Sequence, residues 1–280
     1  MKKEQIDDFT KLNVDFEDFD LDIRTSDDDH YYMEYKLEKN GRKNPLTWKD
    51  KDGELTLEEP AGGSGSYYIT YDLGIFSTHA DLTEKKDALN TVVLYIPEKA
   101  QLSEAELQLS DGDLTADQLL CKEMTLELLN GDLMLDKGEF EKFDAKLSDG
   151  DLNVKELQCI DNMQLKSGNG DVTIKKAELA DGQIALSDGD LQIDNGSFNG
   201  DMKINSSCGD VSVEMKNGSA EKTNIYLKAT DGDVDTEGLS RGKIDNEEDT
   251  SVYENKAGAS APTLNVECSD GDITLTESEK

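Results

Sequence analysis

The sequence has no run of about 20 apolar residues, which is the length that a membrane-spanning helix requires. It has only three arginines and two histidines, and its four cysteines lack the close CxxC spacing of a zinc site or a redox motif. The motifs GxSxG and HExxH, a P-loop and a cysteine–histidine pairing are also absent. We therefore expect a protein that is not an enzyme and that binds no cofactor.

Basic residues are scarce relative to acidic ones. The 280-residue chain has 63 Asp and Glu against 29 Lys and Arg, a formal net charge of −34. Nucleic acid and anionic membrane surfaces repel such a chain, so we expect neither as a partner and no direct insertion into a membrane. The expected partner is an unidentified protein or a cationic ligand, and the oligomeric state stays open. A simpler interpretation is that the acid only keeps a repetitive β protein in solution.

The first ten residues, "MKKEQIDDFT", contain two lysines but no apolar segment, so they do not form a signal peptide. No cysteine near this end could accept a lipid. If the native protein is exported, its signal lies outside this sequence.

A six-residue phrase recurs eight times, with a central glycine. Its forms are LSDGDL at 109–114, LLNGDL at 128–133, LSDGDL at 147–152, SGNGDV at 167–172, LSDGDL at 186–191, SSCGDV at 206–211, ATDGDV at 229–234 and CSDGDI at 268–273. The steps between glycines are 19, 19, 20, 19, 20, 23 and 39 residues. Such fixed spacing is typical of a solenoid, and the last step predicts two coils with one corner missing.

Apolar residues occupy fixed positions relative to that glycine. They lie seven and five residues before it, then two and four residues after it, and the residues between are mostly polar. This alternation is the period of a β-strand, so each coil has two short strands joined at an Asp-Gly corner. A third apolar position lies nine residues after the glycine, and Cys121 and Cys159 occupy it as small core residues. Cys208 replaces the corner Asp or Asn and should be the more exposed thiol.

These columns predict an all-β fold, a single-stranded parallel β-helix with coils of about 19–20 residues. A leucine-rich repeat is the main rival, but its return segment is helical or irregular, whereas "DLNVKEL" alternates like a strand. A left-handed helix built on a period of six does not fit 19–20 either.

The domain organisation follows from where the repeat is regular. Residues 1–100 are predicted as an irregular β region that forms the first coils of the same solenoid, with corners at "TSDDDHYY" (25–32) and Gly53 and an excursion at "AGGSGS" (61–66). "NTVVLYIPEKAQL" predicts a strand that ends at Pro97. Residues 101–280 are predicted as the regular β-helix, interrupted by an irregular loop at 238–262.

An aspartate follows the glycine of every phrase. One interpretation is a turn device, because Asp-Gly is a strong turn pair and backbone N–H groups can stabilise a column of carboxylates without metal. The alternative is a calcium-binding, β-roll-like module, because carboxylates stacked about 4.8 Å apart repel one another and a hard cation relieves that repulsion. The GGxGxD units of calcium-binding rolls are absent. The candidate ladder is Asp113, Asp132, Asp151, Asp171, Asp190, Asp210, Asp233 and Asp272.

The corners from Ser110 to Ile273, together with "IRTSDDDHYYMEY", "PLTWKDKDGELTLEE" and "VVLYIP", resemble a bacterial family of "putative adhesins". Its members are β-helical domains of unknown function related to adhesin heads, and the likeness covers most of the chain. The resemblance implies an interaction scaffold associated with the cell envelope or the cell exterior. The family has no established catalytic residues, so it implies none here.

Overall fold

A computed structural model describes residues 2–36, 46–59, 68–72, 77–81, 91–239, 241–247 and 249–279. The chain packs as two units, Met1–Leu135 and Asp136–Lys280. The expected excursion at 61–66 lies outside the described residues, and the predicted division at residue 100 stays a prediction.

The described residues are almost entirely β-strands. Those of the first unit are β1 (Lys2–Ile6), β2 (Lys11–Phe16), β3 (Asp20–Ser26), β4 (Tyr31–Lys36), β5 (Thr47–Lys51), β6 (Glu54–Glu58), β7 (Tyr68–Asp72), β8 (Ser77–Asp81), β9 (Thr91–Pro97), β10 (Leu102–Leu109) and β11 (Leu114–Asn130). β12 (Leu133–Asp149) begins in the first unit and ends in the second. The predicted end of a strand at Pro97 is confirmed.

The strands of the second unit range from two to eighteen residues. They are β13 (Leu152–Asn169), β14 (Val172–Ile174), β15 (Ala177–Asp188), β16 (Leu191–Phe198), β17 (Met202–Cys208), β18 (Val211–Met215), β19 (Asn224–Thr230), β20 (Val234–Asp235), β21 (Lys243–Glu247), β22 (Thr250–Asn255), β23 (Thr263–Asp270) and β24 (Ile273–Glu277). A 3₁₀ turn at Ala220–Lys222 is the one helical segment of the described chain, and none of those residues forms a helix able to cross a bilayer.

The solenoid prediction is confirmed, and the leucine-rich repeat is wrong because the return segments are strands. In the second unit β13, β15 and β17 pair in parallel one above the next, and so do β14, β16 and β18. Leu165 lies opposite Ile184 and Ile184 opposite Ile204, so equivalent residues stack at the spacing of the repeat. The third apolar position also lies in paired strands, since Leu179 is opposite Phe198.

The predicted core columns point inward. The residues five before and two after each corner glycine are all buried. Nine residues after the first five of these glycines lie Cys121, Phe140, Cys159, Leu179 and Phe198, which are buried as well. The other two columns each have one half-buried exception, Gly182 and Thr236. Cys121 and Cys159 are buried and Cys208 is exposed, as predicted. A further core column lies three residues before each glycine: Leu109, Leu128, Leu147, Ser167, Leu186, Ser206, Ala229 and Cys268.

The first coil of the first unit has a corner that the repeat phrase does not mark. β10 pairs in parallel with β2 and with β11, and the start of β11 pairs in parallel with β3. β2 and β3 therefore form a coil whose corner is Phe19-Asp20. On their other side β2 pairs with β6 and β3 with β9.

The two corners predicted near the start of the chain are wrong. Asp52 and Gly53 have φ of +56° and +78°, which is a two-residue hairpin turn between the antiparallel β5 and β6. The segment "TSDDDHYY" ends β3 and turns into β4, which pairs antiparallel with β9. The apolar assignment around Gly53 is nevertheless right, since Leu46, Trp48, Leu55 and Leu57 are all buried.

The last strands of the second unit depart from sequence order. β23 lies between β17 and β19, and β24 lies between β18 and β20. The 39-residue step is therefore not a missing corner, because the 263–277 segment returns to form the coil between 202–215 and 224–235. Part of the expected irregular loop at 238–262 is regular, because β21 and β22 form an antiparallel hairpin and β22 pairs with β19.

Candidate interaction surface at the solenoid corners

The aspartates that follow the corner glycines form a hydrogen-bonded ladder in each unit. In every rung, the backbone N–H of one aspartate donates to the Oδ1 atom of the equivalent aspartate in the neighbouring coil, because stacked coils place these two groups face to face. The first unit has Asp113 to Asp20 at 3.1 Å and Asp132 to Asp113 at 2.9 Å. The second has Asp171 to Asp151, Asp190 to Asp171, Asp210 to Asp190, Asp272 to Asp210 and Asp233 to Asp272, all at 2.8–2.9 Å.

A backbone hydrogen bond runs in the opposite direction at each corner. The N–H of Val172 donates to the carbonyl oxygen of Asp190 at 2.8 Å, and Leu191 donates in the same way to Asp210 at 2.9 Å. Each ladder aspartate of this stretch therefore uses its N–H, its carbonyl and its Oδ1 in contacts between coils. These contacts fix the orientation of the carboxylate.

Glycine precedes the aspartate because the coils approach too closely for any side chain. A Cβ on Gly170 would lie 2.1 Å from the carbonyl oxygen of Gly150, and one on Gly209 would lie 2.3 Å from that of Gly189. Gly170 and Gly209 also have φ of +131° and +110°, which L residues rarely adopt. In the first coil the carbonyl in this place belongs to Phe19, 2.0 Å from a Cβ on Gly112.

The residue before each glycine makes a second set of contacts. Nδ2 of Asn169 donates to Oδ1 of Asp149 at 2.6 Å, and Asn130 donates likewise to Asp111 at 2.7 Å. An amide donor thus bridges to a carboxylate that would otherwise face a like charge. Cys208 stands in the same column, and its pKa is raised by desolvation and by the neighbouring carboxylates, Asp188 first.

We call the two columns of the second unit that flank the corner glycines the corner stripe: Asp149, Asp151, Asn169, Asp171, Asp188, Asp190, Cys208, Asp210, Asp270, Asp272, Asp231 and Asp233. No lysine or arginine occurs within these corners. The lysines lie on the strand faces, where Lys155 pairs with Asp136 at 2.6 Å and Lys176 with Glu156 at 3.3 Å. The structure describes Asp171, Asp190 and Asp210 without a lysine partner, so their charge faces solvent.

An acidic recess lies at the last rung of the ladder. Asp231, Asp233, Glu247 and Asp249 line a space of about 330 Å³ between that corner and the β21–β22 turn. Even so, no three His, Cys, Asp or Glu side chains converge to hold one metal ion in the part of the chain that the structure describes.

All eight aspartates of the predicted ladder are rungs, and Asp20 is a ninth that sequence reasoning missed. Asp20 was hidden because Phe19 replaces the glycine, although Leu21 and Ile23 follow it with the usual spacing. Backbone N–H groups donate to the carboxylates of this column, which is the contact on which the turn interpretation depends. Calcium binding at these residues stays a prediction.

Comparison with known proteins gives a family but no characterised relative. The family model described as Toastrack DUF4097 matches residues 9–276. No curated protein matches the chain.

Several solved structures are similar to the chain, among them two from Parabacteroides. A "putative adhesin" from Parabacteroides merdae has a TM-score of 0.56 and 16% identity, over 99% of this chain and 95% of that one. A "putative adhesin" from Parabacteroides distasonis is 17% identical over the same shares, with a TM-score of 0.49. At 16% identity the Parabacteroides merdae structure shows a shared fold only. The Parabacteroides distasonis structure, with a TM-score of 0.49, supports no further conclusion.

Proposed function

The chain belongs to the Toastrack family, DUF4097, and we propose that it is a non-enzymatic scaffold that mediates adhesion or protein interaction at the bacterial cell envelope. Its proposed binding surface is the corner stripe, and its proposed partner is a protein with a basic surface. The location rests on the resemblance to envelope-associated adhesin-like domains and on the description of the Parabacteroides merdae protein.

The ladder is the observation that carries this proposal. Five successive hydrogen bonds of 2.8–2.9 Å hold the carboxylates of the second unit in one row. A partner that binds this row does not have to order the acidic side chains first, and such preorganisation lowers the cost of binding. A row of charges of one sign also steers a cationic partner toward the surface.

The distribution of lysine supports the choice of surface. On the strand faces, Asp136 and Glu156 have lysine neighbours, so their fields partly cancel. Asp171, Asp190 and Asp210 have backbone N–H donors instead. These donors orient the carboxylates but leave their net charge in place for a partner.

A charge-removal variant tests the proposal. Asp171→Asn, Asp190→Asn and Asp210→Asn together remove three charges and keep the side-chain oxygens that accept the ladder bonds. We expect binding to a lysine-rich peptide to weaken about tenfold at low salt, because each partly exposed charge contributes a few tenths of a kcal/mol to about 1 kcal/mol. Biolayer interferometry over a salt series measures this.

The matched control removes three charges from the strand faces by Asp144→Asn, Asp161→Asn and Asp194→Asn. We expect this variant to keep most of the affinity. Equal losses in the two variants would show that only net charge matters and would reject the stripe. A pull-down from the envelope fraction of the source organism, with and without chelator, then identifies the partner as a protein that wild type and control retain and the stripe variant loses.

The alternative function is that of a calcium-binding module using the same aspartates. The acidic recess supplies the oxygen ligands that calcium prefers, although no three of its described carboxylates converge on one point. A chelator distinguishes the two functions. The scaffold should still bind its basic partner in the presence of chelator, whereas the calcium module should lose its activity.

A further inference from the structure

The β5–β6 hairpin is fastened to the first coil by two carboxylates. β6 pairs in parallel with β2 from Glu54–Lys11 to Glu58–Asp15. Just before β2, the backbone N–H of Asp7 donates to Oδ2 of Asp50 at 2.9 Å. Just after β2, a second carboxylate of the hairpin segment accepts two more N–H groups. Those bonds run from Glu17 and Asp18 to Oε2 of Glu59, at 3.0 and 2.7 Å.

Both carboxylates stand in acidic surroundings. Asp50 is half-buried and faces Asp7 and Asp8, while Glu59 is only 8% exposed and faces Glu17 and Asp18.

The basic residues of the hairpin and its neighbour do not offset this charge. Lys49 and Lys51 flank Asp50 on β5, and Lys51 lies 3.9 Å from Asp52 rather than at Asp50. β7 places Asp72 opposite Lys49 in register.

We propose that the β5–β6 hairpin is a proton-linked clamp on β2, which tightens as the pH falls from neutral to mildly acidic values. The observation behind this is the placement of Asp50 and Glu59 at the two ends of β2, each accepting backbone N–H groups and each next to further carboxylates. Protonation removes the repulsion at both ends while the carboxyl oxygens remain acceptors. This clamp is independent of the proposed binding surface, which lies in the other unit.

The direction of the linkage follows from the pKa values. Desolvation and then Asp7 raise the pKa of Asp50 from 3.8 to about 6, and desolvation also raises the pKa of Glu59. A raised pKa in the docked state means that this state binds protons more tightly than the undocked one. Docking is therefore strongest below the undocked pKa and weakens as the pH rises through about 6.

Hydrogen exchange on the full chain tests the clamp. The reporters are the amides of Asp7, Glu17 and Asp18, with each rate divided by its intrinsic value. From about pH 7.5 to about pH 5 we expect the protection of Asp7 to rise about tenfold, which is the proton-binding factor of one carboxyl with a pKa near 6. The protection of Glu17 and Asp18 should rise as well, because burial raises the pKa of Glu59. The amide of Asp171 donates to a ladder carboxylate in the other unit, and its protection should not rise.

Two variants remove the titrating groups and two matched variants do not. Asp50→Asn should abolish the rise at Asp7, and Glu59→Gln should abolish the rise at Glu17 and Asp18. The controls Asp52→Asn, in the turn, and Glu58→Gln, next to Glu59 on the exposed side, should keep it.

Three results would overturn the clamp. They are a wild-type protein with no rise, a rise that persists in Asp50→Asn and Glu59→Gln, and an equal rise at Asp171. If either neutral variant does not fold, the other variant and the comparison with Asp171 in the wild type still decide the matter.

Discussion

The two units reach the same arrangement from opposite directions along the chain. In the first unit, the earliest coil, β2–β3, lies between β10–β11 on one side and β6 and β9 on the other. In the second unit, the latest coil, β23–β24, lies between β17–β18 and β19–β20. In each unit a coil at the extreme of the sequence is thus enclosed on both sides.

The units differ in what supplies the outer neighbour of the enclosed coil. In the first unit it comes from β6 and β9, which carry no Asp-Gly corner of the repeat type. In the second unit it comes from β19 and β20, which keep the corner and a rung of the ladder at Asp233. The repeat thus continues past the enclosed coil in one unit and stops at it in the other.

The largest expected effect comes from deleting the enclosed coil of the second unit. Without residues 263–279, β17 and β19 lose the strand between them, and Leu264, Val266, Ile273 and Leu275 leave the core. We expect the second unit to lose its cooperative thermal transition, because the missing burial is comparable to the whole stability of a domain, about 5–15 kcal/mol. Calorimetry measures this.

Deleting residues 2–6 is the matched comparison. It removes β1, whose one strand neighbour among the described residues is β4. We expect the melting temperature of the first unit to fall by only a few degrees. If the two deletions had equal effects, enclosure between two coils would not be what stabilises β23–β24.

A smaller effect is expected from a single charge in the core. Leu165→Asp places an unpaired carboxylate in a column where every residue is buried, and should cost about 3–5 kcal/mol of unfolding free energy. Lys166→Asp, on the exposed side of the same strand, should cost little. Chemical denaturation compares the two, and similar losses would contradict the register.

A corner glycine should come next in magnitude. Gly170→Ala combines backbone strain with a Cβ 2.1 Å from the carbonyl of Gly150, so about 3 kcal/mol is expected. Gly218→Ala is the control, because Gly218 also has a positive φ, +75°, but no atom within 4 Å of an added Cβ. Its cost should be about 1 kcal/mol. Denaturant titrations measure both losses of unfolding free energy. Equal losses would show that the corner glycines are required for their backbone conformation alone and not for the close approach of the coils.

The smallest expected effect is that of calcium on the ladder. Specific binding would stabilise the fold by about 2.7 kcal/mol at a hundredfold excess over Kd. We expect instead that millimolar calcium and sodium at matched ionic strength give similar small shifts in melting temperature, because the ladder oxygens already accept backbone donors.

The variants Asp151→Asn and Asp171→Asn complete that experiment. They should change stability through charge repulsion and weaker charge-assisted bonds, equally with and without calcium. A melting temperature that rises with calcium in the wild type and not in these variants would instead support the calcium module.

The sequence contains the register of the coils but not their order. Each corner presents the same glycine contact and the same aspartate bond, so any coil can stack on any other. The columns around Leu165 could therefore be predicted, because burial repeats with each coil. The position of β23 could not, because it depends on how the 238–262 segment is connected.

The other failures have local physical causes. The corner at Asp20 was not predicted because Phe19 stands where the other corners have glycine. A bulky side chain fits at this position because no corner of the same type packs against it from the preceding coil. Gly53 looked like a corner because a type I′ hairpin and a solenoid corner both favour Asp-Gly. The hairpin of β21 and β22 was not predicted because the acidic run "IDNEEDT" indicated a loop, since charge of one sign is typical of loops.

The enclosed position of β23 has a consequence for synthesis on the ribosome. Strand β17 ends at Cys208, and the strand that covers its free edge begins at Thr263. At a translation rate of about 5–20 residues per second, roughly 3–11 seconds pass between the synthesis of Cys208 and that of Thr263. Strand β19 is synthesised before β23 and has the same pattern of inward-facing residues. During this interval β19 could therefore pair with β17 in the position that belongs to β23. Correct assembly of the second unit is therefore completed after translation of the 263–277 segment, and slower elongation between residues 235 and 262 would favour the misordered stack.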